Sequence, residues 1–223
     1  MYQELVLNND PKSIISETIR TLRTNLQFAS VDKKIKTILI TSSVPGEGKS
    51  FIAANLACAF AQSGSRVLLV DCDIRKGRQH YIFNSHNKAG LSNLLLENVK
   101  EKYKDYLQET KIKNLSVMFR GVTPPNPSEL LGSGKNKELI EILRNEYDIV
   151  IFDSAPINGG LTDSIIMSTL VDGVVIVSSH KETPISLLNN TKKSLQNVNA
   201  NILGVVLNRA SSKSKKYYGH YYG

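Results

Sequence analysis

The segment Ser43–Ser50, SVPGEGKS, holds residue types that together bind a polyphosphate. Gly46 and Gly48 let backbone N–H groups converge on phosphate oxygens with no Cβ in the way. Lys49 can reach the β- and γ-phosphates, and Ser50 can offer its hydroxyl to Mg²⁺. Two acidic sites complete such chemistry. Asp153 ends the apolar run DIVIFD, where a carboxylate at a buried strand end holds the metal directly or through water. Asp71 and Asp73 lie two apart in VLLVDCDIRK, on one face if the strand runs through both. Clustered carboxylates repel unless a cation sits between them. Mg²⁺ would supply that cation, and one carboxylate would take a proton from an incoming hydroxyl. Asp71 and Asp73 are both open to that second role. A solvated strand-end turn also explains two neighbouring acids, but the phosphate loop and Asp153 favour the functional reading.

The elements that must position these groups are legible. IKTILITS (35–42), VLLVD (67–71), LSVMF (115–119), YDIVIFD (147–153), GVVIVSS (173–179) and NILGVVLN (201–208) are continuous apolar runs, the pattern of strands covered on both faces. Helical patterns fill the gaps: SFIAANLACAFAQSG, KNKELIEILRNE, DSIIMSTLV and PISLLNNTKKSLQNV. The expected fold is α/β, with three layers around a mainly parallel sheet. A strand, the Gly-rich loop and a helix start follow in the order a phosphate loop requires, and the helix end adds its positive dipole. The general pattern G-x-x-x-x-G-K-[ST] would put a glycine at position 43, where this chain has Ser43.

With 223 residues the chain is long enough to bury a full core. Residues 1–209 are expected to form one domain, with a helix over 12–30, and 210–223 a flexible tail. No apolar run reaches the roughly 18 residues of a membrane span, and no signal sequence opens the chain, so neither secretion nor spanning is expected. Two cysteines, Cys58 and Cys72, suggest a reducing compartment without a disulfide. The net charge of +8 is spread over many segments. It comes with no zinc finger, ribonucleoprotein motif or helix-turn-helix, so nucleic acid is not an expected partner. Four tyrosines, Tyr217, Tyr218, Tyr221 and Tyr222, stand in KSKKYYGHYYG with no apolar periodicity to bury them.

These motifs resemble the bacterial tyrosine kinases that govern capsule and exopolysaccharide synthesis. The resemblance rests on SSVPGEGKS, LLVDCDIRK, PPNPSELL (124–131), VIFDSAP, the tyrosine cluster, and ETIRTLR, which fits the family's E-x-x-R-x-x-R element at Glu17, Arg20 and Arg23. Ser43 agrees with the family's form of the loop, whereas Ser154 and Ala155 stand where Thr and Pro are usual. The resemblance implies a phosphate-loop NTPase fold and an ATP- and Mg²⁺-dependent protein-tyrosine kinase. The nucleotide would be held by Pro45, Gly46, Glu47, Gly48, Lys49, Ser50 and Phe51, and the metal by Ser50, Asp71 and Asp153. Lys49, Asp71, Asp73 and Asp153 would carry phosphoryl transfer. In related folds an Asn/Arg pair after the last strand touches adenine, which makes Asn208 and Arg209 candidates.

It further implies a split kinase, cytoplasmic and recruited to the inner face of the cell membrane by a transmembrane adaptor that activates it. Subunits would form a homo-oligomeric ring through Glu17, Arg20 and Arg23, each presenting its tyrosines to the neighbour's site. Spacing by three also suits a plain solvated stripe on a helix. The rival on the same fold is a dimeric partition-type ATPase, whose loop carries a second lysine where this chain has Val44. A nucleotide-gated scaffold of a membrane polysaccharide complex is the other.

Overall fold

A computed structural model describes residues 4–29, 34–158, 160 and 162–210. The tyrosines at 217, 218, 221 and 222 lie outside the described residues. The strands are β1 (Thr37–Ser42), β2 (Val67–Asp71), β3 (Gln108–Glu109), β4 (Leu115–Met118), β5 (Ile149–Asp153), β6 (Gly173–Ser179) and β7 (Ile202–Asn208). They form one sheet in the order β3-β4-β2-β5-β1-β6-β7. Every pairing is parallel except β3 with β4. The six apolar runs are thus strands within two residues of their expected ends. β3, of two residues, has too little apolar pattern to be read beforehand.

The helices in chain order are α1 (Val6–Asn9), α2 (Ile14–Gln27), α3 (Lys49–Gln62), α4 (Gln79–Ile82), α5 (Leu91–Leu94), α6 (Val99–Lys102), α7 (Pro127–Leu131), α8 (Gly134–Glu146), α9 (Asp163–Ser168) and α10 (Ile185–Asn197). Alternate strand residues face two separate cores. Ile38, Ile40, Val67 and Leu69 pack with α1, α2 and α3. Leu39, Leu68, Val70 and Phe152 pack with α8, α9 and α10. The three expected layers follow from this alternation. α3 is buried nearly all round because it lies between the sheet and α2, and its alanines allow close approach on both sides. Asn55 of α3 is fully buried, yet its amide is satisfied by Val6 N, Phe51 O and Glu4 O, which straps the N-terminal segment across the helix.

Strand order reverses about β1: β2 lies on one side, beyond β5, and β6 and β7 on the other. At such a switch point the carboxyl ends of the strands open into a crevice. The ends of β1, β2 and β5 bring the loop after Ser42, Asp71 and Asp153 to that crevice. Among the described residues no helix is long and apolar enough to cross a membrane.

Candidate active site

The loop after β1 folds around its two glycines. Gly46 and Gly48 have φ of +84° and +93°, values that strain any side chain. Gly48 is also the N-cap of α3, and a Cβ there would lie 2.2 Å from Asn208 Nδ2. Past it, the first-turn N–H groups of α3 have no carbonyl partner within the helix and carry its positive end. Pro45, expected among the nucleotide contacts, has no N–H and cannot donate to a phosphate. Glu47, also expected among those contacts, turns its carboxylate inward. One oxygen accepts from Val44 N (2.8 Å), the other from Ser179 N (3.0 Å) and the Thr183 hydroxyl.

Asn208 Nδ2 donates to Glu47 O (2.9 Å) and Arg209 to Gly46 O (2.8 Å), while Arg209 also pairs with Glu182. The pair expected at adenine therefore braces the phosphate loop in this structure. Ser43 has its own place: it is fully buried, and its hydroxyl accepts from Thr191 Oγ1 of α10 at 2.9 Å. Lys49 is largely buried (8% exposed) at the start of α3, and Phe51 packs on the α3-side core.

Asp71 and Asp153 are register partners on adjacent strands, both fully buried. Burial, reinforced by the Asp153 carboxylate, pushes the Asp71 carboxyl well above its ordinary range. Burial raises Asp153 to about 6, against the opposing pull of the nearby Ser50 hydroxyl, the Gln79 amide and the charge of Lys49. β2 ends at Asp71, and the N–H groups of Cys72 and Asp73 both turn onto Asp153 O (2.9 and 3.1 Å). Asp71 and Asp73 therefore do not share one strand face. Asp73 stands in the turn beyond, partly exposed, with Oδ1 accepting from Lys76 N at 2.9 Å. This splits two acids that spacing alone left equivalent: Asp71 is covered, and Asp73 faces the rim.

The residues fit a magnesium ion. Oδ1 of Asp71 and Oδ1 of Asp153 are buried with no hydrogen-bond partner. Two such carboxylate oxygens, with the Ser50 hydroxyl beside Asp153, are hard donors and too few for a closed cage. That suits a cation that keeps waters and takes its other ligands from phosphates.

One feature of the site escaped sequence reasoning. Gln79 donates from its side chain to Asp153 Oδ2 and from its backbone to Asp71 Oδ2. Nothing in its local sequence marks it out. Arg75 forms a fork on the buried Asp163 (2.7 and 3.3 Å) and reaches Ser128 at 3.3 Å, tying the turn after β2 to the PPNPSELL segment. Glu17 and Arg20 form an exposed i,i+3 pair on α2. Arg23 turns instead to Ala59 O of α3 at 3.5 Å.

A family model described as an AAA domain matches residues 35–204. CapB of Staphylococcus aureus, by name a candidate tyrosine-protein kinase, is 39% identical over 219 residues, covering 98% of this chain and 95% of its own. The tyrosine-protein kinase YwqD of Bacillus subtilis is 41% identical over 221 residues, covering 99% and 92%. Among solved structures, the chimerical protein CapA2B2 superposes with a TM-score of 0.88 at 42% identity, over 94% of this chain and 91% of that one. The likeness to CapB and YwqD spans nearly the whole chain, and the fold shared with the solved structures is of the phosphate-loop NTPase kind. The chain belongs to the bacterial tyrosine-kinase family, in the split type represented by CapB and YwqD.

Proposed function

We propose that this chain transfers the γ-phosphoryl group of ATP, with Mg²⁺, to tyrosines 217, 218, 221 and 222 of a neighbouring copy. Through that transfer it regulates capsular or extracellular polysaccharide synthesis and export. The observation that carries the reading is the register that sets Asp71 beside Asp153, with Ser50 and Lys49 at the adjoining helix start. Bound Mg²⁺·ATP supplies the transferable group and spreads the charge that develops on its oxygens. Backbone amides of Gly46–Ser50 and the Lys49 ammonium bind and orient the phosphates. Ser50 and Asp153, with Asp71 behind them, hold the cation. Asp73, the partly exposed acid, orients an incoming tyrosine hydroxyl and accepts its proton. Positioning and charge stabilisation carry nearly all of the catalysis.

The tyrosines are unburied in this reading because they are substrate. Each phosphate adds about −1.5 to −2 charges, which the Asp71, Asp73 and Asp153 carboxylates repel, so product leaves. Residues 1–209 act as the kinase domain and 210–223 as the tail. Rings assemble through the α2 face bearing Glu17 and Arg20, and a transmembrane adaptor brings the chain to the inner face of the cell membrane and activates it.

Intact-mass spectrometry after incubation with Mg·ATP, with and without the adaptor's cytoplasmic tail, tests the reading. Phosphate on the four tyrosines that vanishes in Lys49→Met is expected. Nucleotide binding or hydrolysis with no phosphotyrosine under either condition would instead favour an assembly ATPase or a nucleotide-gated scaffold.

A further inference from the structure

We propose that Gln79 is a positioning residue of the cation site: it engages one oxygen of each strand-end carboxylate, Asp71 and Asp153, and leaves the other oxygen of each to a divalent cation. The inference rests on the reading that Asp153 and Ser50 hold Mg²⁺ beside the nucleotide.

Gln79 is fully buried at the start of α4. Its backbone N–H donates to Asp71 Oδ2 at 3.0 Å. Its Nε2 donates to Asp153 Oδ2 at 2.8 Å and to Ser50 O at 3.1 Å. The backbone carbonyl offers Nε2 only an acceptor, which fixes the orientation of the amide. Three oxygens are then left, Asp71 Oδ1, Asp153 Oδ1 and Gln79 Oε1, each buried without a hydrogen-bond partner. Buried polar atoms without partners are few in folded proteins and call for a reason. Three of them on side chains joined by hydrogen bonds mark a place rich in lone pairs, which attracts a cation or a hydrogen-bond donor. A divalent cation meets the carboxylate oxygens, and a water that Mg²⁺ retains in its shell can donate to Oε1.

The chain reaches this position because of Gly77. The turn closes with Gly77 N on Asp73 O (2.6 Å) and lies directly over Asp71; a Cβ at residue 77 would stand 2.1 Å from Asp71 Oδ1. Glutamine suits the place for a chemical reason. A lysine would put its own charge where the cation goes, and a glutamate would add a third carboxylate to two that already repel. A neutral amide orients the carboxylate without competing for the metal. Its bond to Ser50 O also joins Asp153 to the helix turn that carries Lys49 and Ser50.

Titration calorimetry with Mg²⁺, and with Mn²⁺ as a second probe, on the full chain saturated with ADP tests this. Gln79→Met keeps the length and removes both donors of the amide. It is expected to weaken metal affinity by about 10- to 100-fold, the usual cost of losing a ligand-orienting partner, with ADP affinity in chelator unchanged. Wild-type metal affinity in Gln79→Met would overturn the inference, as would an equal loss of metal-free ADP affinity. Absence of metal uptake by the wild type would instead overturn the cation site beneath it. A second measurement needs no variant. The Gln79 side-chain ¹⁵N–¹H resonances of the wild type should shift on Mg²⁺ addition to the ADP complex, with the calorimetric midpoint, and resonances that stay put would refute the role.

Discussion

Asp153→Asn should stabilise the metal-free protein near neutrality while destroying its response to Mg²⁺. Asp153 is fully buried, and its folded-state pKa is about 6 against an ordinary 3.8. For a carboxyl raised on folding, the folded state binds more protons than the unfolded state. Its contribution is therefore intact below pH 3.8 and is lost as pH rises through about 6. At about 1.4 kcal/mol per pH unit, the gap makes about 3 kcal/mol, lost between roughly pH 4 and pH 7. Asp71 is shifted in the same direction and steepens the fall. Asparagine removes the charge but keeps an oxygen to accept from Gln79 Nε2. In chelator, Asp153→Asn should match the wild type near pH 4 and exceed it by about 3 kcal/mol near pH 7. Urea unfolding at a series of pH values measures this; groups remote from Asp153 cancel in the difference, and Asp71, whose upward shift Asp153 reinforces, adds to it. Adding Mg·ADP should then raise wild-type stability by mass action and leave the variant little changed. Parallel curves for the two proteins from pH 4 to pH 7, or a variant less stable at pH 7, would refute the argument that two unneutralised buried carboxylates share this site.

Other expectations are more local. Glu47→Ala strands the N–H groups of Val44 and Ser179 and the Thr183 hydroxyl. At about 1–3 kcal/mol for each buried donor left unpaired, a loss of about 3 kcal/mol or more in urea unfolding is expected, together with weaker ADP binding. A loss under about 1 kcal/mol would show that the carboxylate does not brace the loop. Alanine at Glu17, Arg20 and Arg23 together should dissociate the oligomer in light scattering. The exposed Glu17–Arg20 pair itself contributes only a few tenths of a kcal/mol to the monomer; an unchanged particle mass would remove α2 from the assembly surface.

Much of this molecule follows from local sequence. Runs such as VLLVD and GVVIVSS, short and rich in β-branched residues, read as strands covered on both faces, and a strand, SVPGEGKS and an apolar helix in succession read as a phosphate loop. Those signals are local because burial on two faces and the conformational freedom of glycine are properties of a few consecutive residues. Strand order is not such a property. Asp71 and Asp153 became neighbours only when β5 settled between β1 and β2. Equal spacing made Asp71 and Asp73 interchangeable, and the turn onto Asp153 O then buried one and left the other at the rim. Glu47 reads as a phosphate-loop residue, yet its carboxylate faces away, because β6 and the segment before α10 offer it donors. Gln79 carries no motif at all. Its role comes from packing, because an amide orients two carboxylates only when the fold has placed their oxygens within a hydrogen bond of it.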